Sequence, residues 1–430
     1  MKTTSLWCEN VLPIAEGQAE LPERVDVAII GGGFSGISTA LELARNGSQV
    51  ALIDKEWPGY GACSRNLGLV VERIEGTTDG EMEAHINGVP RHELITEGQR
   101  AHDFVADLID HEQIDCGVRR RGKLVLAHTP SAYEKMARHV ERYDRFFGAS
   151  NAFMVPYQDL AQEIGERARQ LYFGAKVLPD LIDINPGKLV AGLLKALSLT
   201  DAAICGGTEC LSIERLHGGH YDIKTNRGSL ITEQVVVATQ GYSQKSSGTL
   251  QNQIFPFLAH VVATEPLDVK LLSQMLPTLR GVVDTKQMFS NFRPCDNESR
   301  LLLASHYLRT DNESTQASRI MRYYRKMFPE LDGVNAEYCW KGNLPLTGDG
   351  LPHIGAENGI HYCATGNISM ALYLGSKIAK RILHADDMET VLDRIPIAKF
   401  PFYYGKPNLL YFLLRMVFKA LDLAKIPAIK

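Results

Sequence analysis

The chain has 430 residues, of which 45% are hydrophobic and 22% charged. That is enough to bury a large core and more than one domain usually needs, so two interleaved domains are expected. A net charge of -4 with dispersed basic residues argues against a nucleic-acid partner.

No run reaches the roughly 18 consecutive apolar residues that a membrane span requires, and the start MKTTSLWCENVLP lacks the long apolar stretch of a signal peptide. Eight cysteines are scattered without a C-x-x-C pair, which argues against a zinc or thioredoxin-like site and for reduced thiols in a cytoplasmic protein.

In chain order, VDVAII (25–30) reads as a buried strand. The glycine turn after it opens a helix with Ile37, Ala40, Leu41 and Ala44 on one face, stopped by Asn46 and Gly47. QVALID (49–54) is the next strand, which completes a βαβ unit. Gly31, Gly33 and Gly36 stand in the spacing G-x-G-x-x-G, where the first makes the tight turn, the second admits a pyrophosphate to the backbone and the third lets helix and strand pack. The helix N-terminus then offers N–H groups to phosphates. Asp54 falls where an acid meets a ribose 2′-hydroxyl, and its charge argues against NADP. The motif alone leaves FAD and NAD open, and no second such motif follows a strand.

GYGACSRNLGLV (59–70) is glycine-rich and carries an Arg65-Asn66 pair, so its backbone can run along an extended ligand. From 91 to 148 the pattern turns to amphipathic helices around a strand-like KLVLA (123–127). VVVAT (235–239), HVVATEPL (260–267) and RLLLASHY (300–307) read as strands, and SRIMRYYRKMFPEL (318–331) as a helix. The tail 408–426 is a helix with Arg415, Lys419 and Lys425 among apolar residues, which packs on its own protein or meets a membrane surface or partner.

On GYGACSRNLGLV, RRRGKLVLA, GAKVLPDLIDINPGKLV, VVVATQGYS, ATEPL and WKGNLPLTGDGLPHIG the chain resembles the D-amino-acid oxidase superfamily of FAD enzymes, and is most similar to its γ-glutamylputrescine oxidase and glycine oxidase-like branch. The resemblance implies an α/β (α+β) fold. It has a Rossmann-like FAD-binding domain of glutathione-reductase type (1–90, 149–245 and 343–430) and an interleaved substrate domain on an antiparallel or mixed sheet with helices (91–148 and 246–342). FAD would be held non-covalently by Gly31, Gly33, Phe34, Ser35, Gly36, Asp54, Lys55, Gly61, Ala62, Cys63, Arg65, Asn66, Leu67, Gly68, Ala238, Thr239 and Gly241. The N-terminus of the last family helix, Gly366, Asn367, Ile368, Ser369 and Met370, would face the flavin's pyrimidine end, with Asn367 either an N-cap or a flavin contact.

Several positions depart from the family's pattern. Cys63, Ser64 and Leu67 replace its usual Ser, Gly and Gly, which implies a stiffer or shifted loop. Cys339 lies three residues from the position of a covalent flavin cysteine in some sarcosine oxidase relatives. His306 aligns with a site histidine and is the candidate catalytic residue, able to favour a neutral amine, or else a histidine bonded to backbone. Leu302 replaces a lysine that assists oxygen. His260, Tyr307 and Leu344 are candidates for the substrate pocket, with Leu344 in place of an arginine that pairs with a substrate carboxylate. Arg293 matches a family arginine, with a surface or strand-pair role as the alternative, and His353 resembles a family position near the flavin but reads as packing.

The implied reaction is hydride removal from a carbon beside an amine nitrogen, followed by hydrolysis of the imine. Two alternatives remain at this stage: a flavin dehydrogenase handing electrons from an amino acid or opine-like compound to a quinone or partner, and a flavin-binding protein without turnover.

Overall fold

Short apolar strands buried on both faces are the mark of parallel pairing, and Val50–Ile53 is buried at every position. It pairs in parallel with Arg24–Ile30 on one side and Ala203–Cys205 on the other. The computed structural model describes residues 1–9, 19–72, 74, 77, 80–148, 152–243, 250, 253–286, 290–295, 299–305, 312–399, 413, 416 and 417. The first sheet continues from Arg24–Ile30 to Gly228–Val237, Tyr221–Thr225 and Cys210–Arg215. Ile360–Ala364 runs parallel to the end of Gly228–Val237, and His353–Glu357 folds back on it.

The helix Phe34–Arg45 leaves the sheet at Gly31 and lies against Ile368–Ile382. The contact is close because Gly375 has no side chain: a Cβ there would stand 2.4 Å from the Ser35 carbonyl oxygen. Ser38 Oγ donates to the Leu372 carbonyl at 2.7 Å and Thr39 Oγ1 to that of Gly375 at 2.8 Å. Small residues thus replace side-chain packing with hydroxyl-to-backbone contacts.

The second sheet runs in the order Ala336–Leu346, Phe255–Thr264, Arg300–Ser305, Ser290–Cys295, Gly281–Asp284, Lys123–Leu126, Gly174–Leu178 and Phe153–Pro156. Its pairs are antiparallel except Gly281–Asp284 with Lys123–Leu126. One face buries the helix Glu313–Met327 in a core that includes Phe292, Leu303, Tyr324 and Cys339.

Segment exchange is more extensive than the sequence division. Phe153–Pro156 and Gly174–Leu178, from the stretch grouped with the nucleotide unit, pair in the second sheet. Arg91–His111, grouped with the other unit, packs beside Ile368–Ile382, where Tyr373 donates to Glu97 at 2.8 Å. Strand pairing partners and helix docking are non-local choices that local pattern does not encode.

A buried arginine joins the two halves. Arg293, on Ser290–Cys295 and only 3% exposed, donates to the Leu67 carbonyl, to the Asp183 carboxylate and, at 2.5 Å, to the Ile184 carbonyl. The surface role considered for it is therefore wrong. Its three nitrogens, fixed in one plane, each reach a different acceptor, a spread that a lysine's single ammonium nitrogen does not reproduce. Gly68 (φ 72°) sits under it, where a Cβ would stand 2.2 Å from the Ile184 oxygen. Removing one member of a buried ion pair leaves the other charged and unmatched, so Arg293→Met is expected to lower unfolding free energy by about 3 to 5 kcal/mol. Urea unfolding followed by circular dichroism measures this, and a loss below about 1 kcal/mol would refute the bracing role.

Candidate functional site

A cavity of about 1020 Å³ runs between the sheets. Gly31, Gly33, Asp54, Thr208 and Glu209 line it on the side of the first sheet, and Val125, Val283, Phe257, Val261 and Ala304 on the side of the second. Between them lie the 60–67 loop, Ala238, Thr239 and the segment Gly366, Asn367 and Ile368.

Asp54 ends the strand Val50–Ile53 and is held before any ligand arrives. Its carboxylate accepts the Gly32 N–H at 2.7 Å and the Glu56 N–H at 2.9 Å. Burial pushes this carboxyl above its ordinary range, and those two N–H groups oppose the shift. The N-termini of Phe34–Arg45 and Ile368–Ile382 also reach the cavity wall, so two helix dipoles present their positive ends to it. At Gly33 the wall is open, with nothing within 4 Å of an added Cβ.

The loop from 64 to 68 is tied down carbonyl by carbonyl. Ser5 Oγ donates to Ser64 O at 2.7 Å, Trp340 Nε1 to Arg65 O at 2.9 Å and Trp7 Nε1 to Asn66 O at 2.8 Å. Arg293 takes Leu67 O, and the Ile184 N–H takes Gly68 O at 2.8 Å. Within the loop, the Cys63 and Ser64 side chains both donate to the Gly59 carbonyl. Burial pushes the Cys63 thiol up to about 12, so it stays a neutral donor.

Most of the residues singled out from the sequence meet at this cavity: Gly31, Gly33, Phe34, Ser35, Asp54, Lys55, Gly61, Ala62, Cys63, Arg65, Asn66, Leu67, Ala238, Thr239, Gly366, Asn367, Ile368 and Leu344 line it. Others stand behind the lining. Gly36 packs on the Gly31 carbonyl, Gly241 on that of Asn343, and Gly68 under Arg293. Ser369 donates to the Val71 carbonyl, and the Met370 side chain is buried. Asn367 is an N-cap, its side chain accepting the Met370 N–H at 2.7 Å. His353 is a packing residue, set between the Ile395 carbonyl and Asp349.

His260 is a correction. On Phe255–Thr264 the side chains of Phe257, Ala259 and Val261 line the cavity, so alternation turns His260 to the opposite face, near Glu313 and Lys341. His306 and Tyr307 lie outside the described residues, as does the 408–426 helix apart from Leu413, Met416 and Val417, which are exposed.

Sequence reasoning missed Gln240 and Tyr242. Gln240 donates to Ser35 Oγ at 3.1 Å and accepts the Thr365 N–H at 3.0 Å, so one side chain ties the two helix entrances together. Its φ of 51° gave no sequence signal, because the strained residue is not a glycine. Lys123 and Lys176 were missed too, although a lysine inside an apolar strand such as GAKVL was a usable signal.

The model of the DAO family, described as FAD dependent oxidoreductase, matches residues 26–381. The chain belongs to this family of FAD-dependent oxidoreductases. It is 25% identical to Probable oxidoreductase OrdL of Haemophilus influenzae, over 89% of this chain and 88% of that protein. It is also 25% identical to the gamma-glutamylputrescine oxidoreductase of Escherichia coli, over 84% of each. Among solved structures, the glycine oxidase of Geobacillus kaustophilus superimposes with a TM-score of 0.72 at 20% identity, covering 88% of this chain and 99% of that one. FAD is the cofactor of the family, and a long cavity with a bare glycine turn and two helix N-termini fits a dinucleotide. No helix among the described residues is long and apolar enough to cross a membrane.

His260, 1% exposed, has a pKa pushed down to about 4 by burial, with the Lys341 cation adding to the effect. It is therefore neutral in the folded protein while the unfolded chain protonates it below about pH 6.5. Stability is full above that pH and falls as pH drops from about 6.5 toward 4, with up to about 1.4 kcal/mol lost per pH unit from this residue. His260→Leu should flatten the slope of urea midpoints taken between neutral pH and about pH 5. An unchanged slope would show that His260 titrates alike folded and unfolded.

Proposed function

We propose that this FAD-dependent oxidoreductase oxidises a C–N bond of an amine whose oxidised carbon carries no free carboxylate. The observation that carries this reading is the wall around Leu344. Leu344 pairs with Phe257 across the sheet and lines the cavity beside Pro345, so this wall is apolar. Of the two arginines that could serve a carboxylate from elsewhere, one is buried in an ion pair and the other is bound to backbone through Nε. Arg293 is enclosed with Asp183. Arg65 donates Nε to the Tyr60 carbonyl at 2.7 Å and stacks on the Tyr60 ring.

Bound FAD supplies the acceptor for the electron pair that leaves the substrate carbon as hydride. In this reading the protein holds it without a covalent link, since Cys339 lies in the core on the other face of the second sheet. Asp54 would accept from the ribose, and the turn 31–33 with the helix Phe34–Arg45 would receive the pyrophosphate. The N-terminus of Ile368–Ile382 would steady negative charge at the pyrimidine end of the ring. Phe257, Val261, Ala304 and Leu344 exclude water around the reacting carbon and favour the neutral amine.

An acceptor other than oxygen is favoured by Leu302. It is fully buried and packs behind the cavity lining with Leu67, Val261 and Ala304, so this position holds an apolar side chain where a cation would help oxygen take up negative charge.

Asp54→Ala should weaken FAD by about 1.5 to 3 kcal/mol through loss of a charge-assisted hydrogen bond. Titration of apoprotein by flavin fluorescence measures it, and unchanged affinity would refute the placement of the ribose. The reaction is tested by mixing the yellow holoenzyme anaerobically with glycine, sarcosine and D-alanine, and in parallel with putrescine, γ-glutamylputrescine and N-alkyl amines. Bleaching is expected with the second group and slow return of colour on admitting oxygen. Rapid bleaching by the simple amino acids would overturn the inference from Leu344.

A further inference from the structure

The family match begins at residue 26, yet the segment ahead of it reaches the loop that lines the cavity. Lys2 docks beside the strand Ala336–Leu346, its N–H donating to the Glu337 carbonyl at 2.8 Å and its carbonyl accepting the Cys339 N–H at 2.9 Å. Ser5 then caps the short turn Leu6–Cys8 by accepting the Trp7 N–H at 3.3 Å. Trp7 is 4% exposed and packs with Leu67, Leu302 and Trp340. The Arg293 guanidinium stands 5.3 Å from the centre of its ring, and Gly187 makes room for its backbone, since a Cβ there would come 2.4 Å from the Trp7 carbonyl oxygen.

Enclosure on these sides fixes the direction of the Trp7 indole N–H. It donates to the Asn66 carbonyl at 2.8 Å, while Trp340 donates to the carbonyl before it, that of Arg65, at 2.9 Å. A trans peptide holds its C=O and N–H antiparallel in one plane, and both of these peptides are trans. Pinning the two carbonyls to the two indoles therefore turns the N–H groups of Asn66 and Leu67 the other way, toward the cavity that both residues line. Neither N–H has an acceptor among the described residues. The Asn66 side chain does not fill the gap, because its amide is taken up by the Ala62 and Cys63 carbonyls and the Gly68 N–H. Backbone N–H groups without a partner in the fold are left for water or a ligand, and two in succession on one wall make a nest for negative charge.

Resting on the reading that FAD lies along the 59–70 loop, we propose that Trp7 is a positioning residue of the cofactor site. Trp7 sets the aim of the Leu67 N–H as Trp340 sets that of Asn66, and the pair receives negative charge that the flavin takes up on reduction. Hydrogen bonds to a charged acceptor are stronger than those to a neutral one, so the two donors favour the reduced form. The N-terminal segment thereby raises the reduction potential by acting through the backbone of the loop. This holds whichever amine delivers the electrons.

Reductive titration of the holoenzyme with dithionite against a reference dye tests this without any substrate. Trp7→Phe keeps an aromatic ring in the cluster and removes the indole N–H. Its reduced flavin should be held about tenfold less tightly relative to the oxidised flavin, which places the two-electron potential about 30 mV below wild type. Trp340→Phe should shift it the same way. Ser5→Ala releases the Ser64 carbonyl and loosens the segment without removing a ring, and it should give a smaller shift of the same sign. Lys2→Ala removes a surface ion pair with Glu9 from the same segment and should leave the potential in place. Urea unfolding of each apoprotein separates aim from packing, since a merely structural tryptophan lowers stability and FAD affinity and leaves the potential unmoved. An unchanged potential in Trp7→Phe, or an equal fall in Lys2→Ala, would overturn the proposal; if Trp7→Phe yields no folded protein, an unchanged potential in Ser5→Ala does so. A potential that falls in Trp7→Phe in an enzyme that no amine bleaches keeps the positioning role and removes the amine reaction.

Discussion

The contact between Phe34–Arg45 and Ile368–Ile382 governs the rest of the site. Because Gly375 has no Cβ and Ser38 and Thr39 turn their hydroxyls to facing carbonyls, two helices more than 300 residues apart in the chain lie against each other. Their N-termini then arrive together on one cavity wall. Each contributes unpaired N–H groups and the positive end of a dipole, and both effects fade within a turn, so they add only if the ends are near neighbours. Gln240 fixes that nearness by bonding to Ser35 and to the Thr365 N–H.

The 59–70 loop meets this wall from the other side, and its rigidity is borrowed. Consecutive carbonyls from Ser64 to Gly68 accept from Ser5, Trp340, Trp7, Arg293 and the Ile184 backbone. A buried loop has to satisfy its backbone in this way or lose about 1 to 3 kcal/mol per orphaned group. Here the donors come from the N-terminal segment, from two strands of the second sheet, Ala336–Leu346 and Ser290–Cys295, and from Ile184 just past the strand Ile182–Asp183. The same bonds that satisfy the loop also tie it to the second sheet and to the N-terminal segment.

The cavity is therefore polarised along its length. Asp54 and the helix ends present ordered hydrogen-bonding groups on the side of the first sheet. Phe257, Val261, Ala304 and Leu344 form an apolar middle, and the lysines of the outer strands gather on the far side. An apolar middle strengthens electrostatic effects at either end, because charges there are poorly screened.

The opening βαβ unit was legible because its signals are local. Turn glycines, a buried-strand run and an acid at the second strand's end lie within about 30 residues and leave little freedom to misread. The fold class and the cofactor followed from that unit and from motifs spread along the chain. Leu344 was legible as well, since one apolar residue replacing a charged one needs no geometry to be noticed. The face of His260 was not, because period-two alternation sorts a strand's residues into two sets without telling which set meets the cavity. Nor was the buried role of Arg293, whose partners at 67, 183 and 184 are remote in sequence. The exchange of Phe153–Pro156 and Gly174–Leu178 into the second sheet, and with it the gathering of Lys123 and Lys176, required the sheet order itself. Local pattern says that a segment is a strand; only long-range hydrogen bonding decides beside which strand it lies, and so which side chains share a wall.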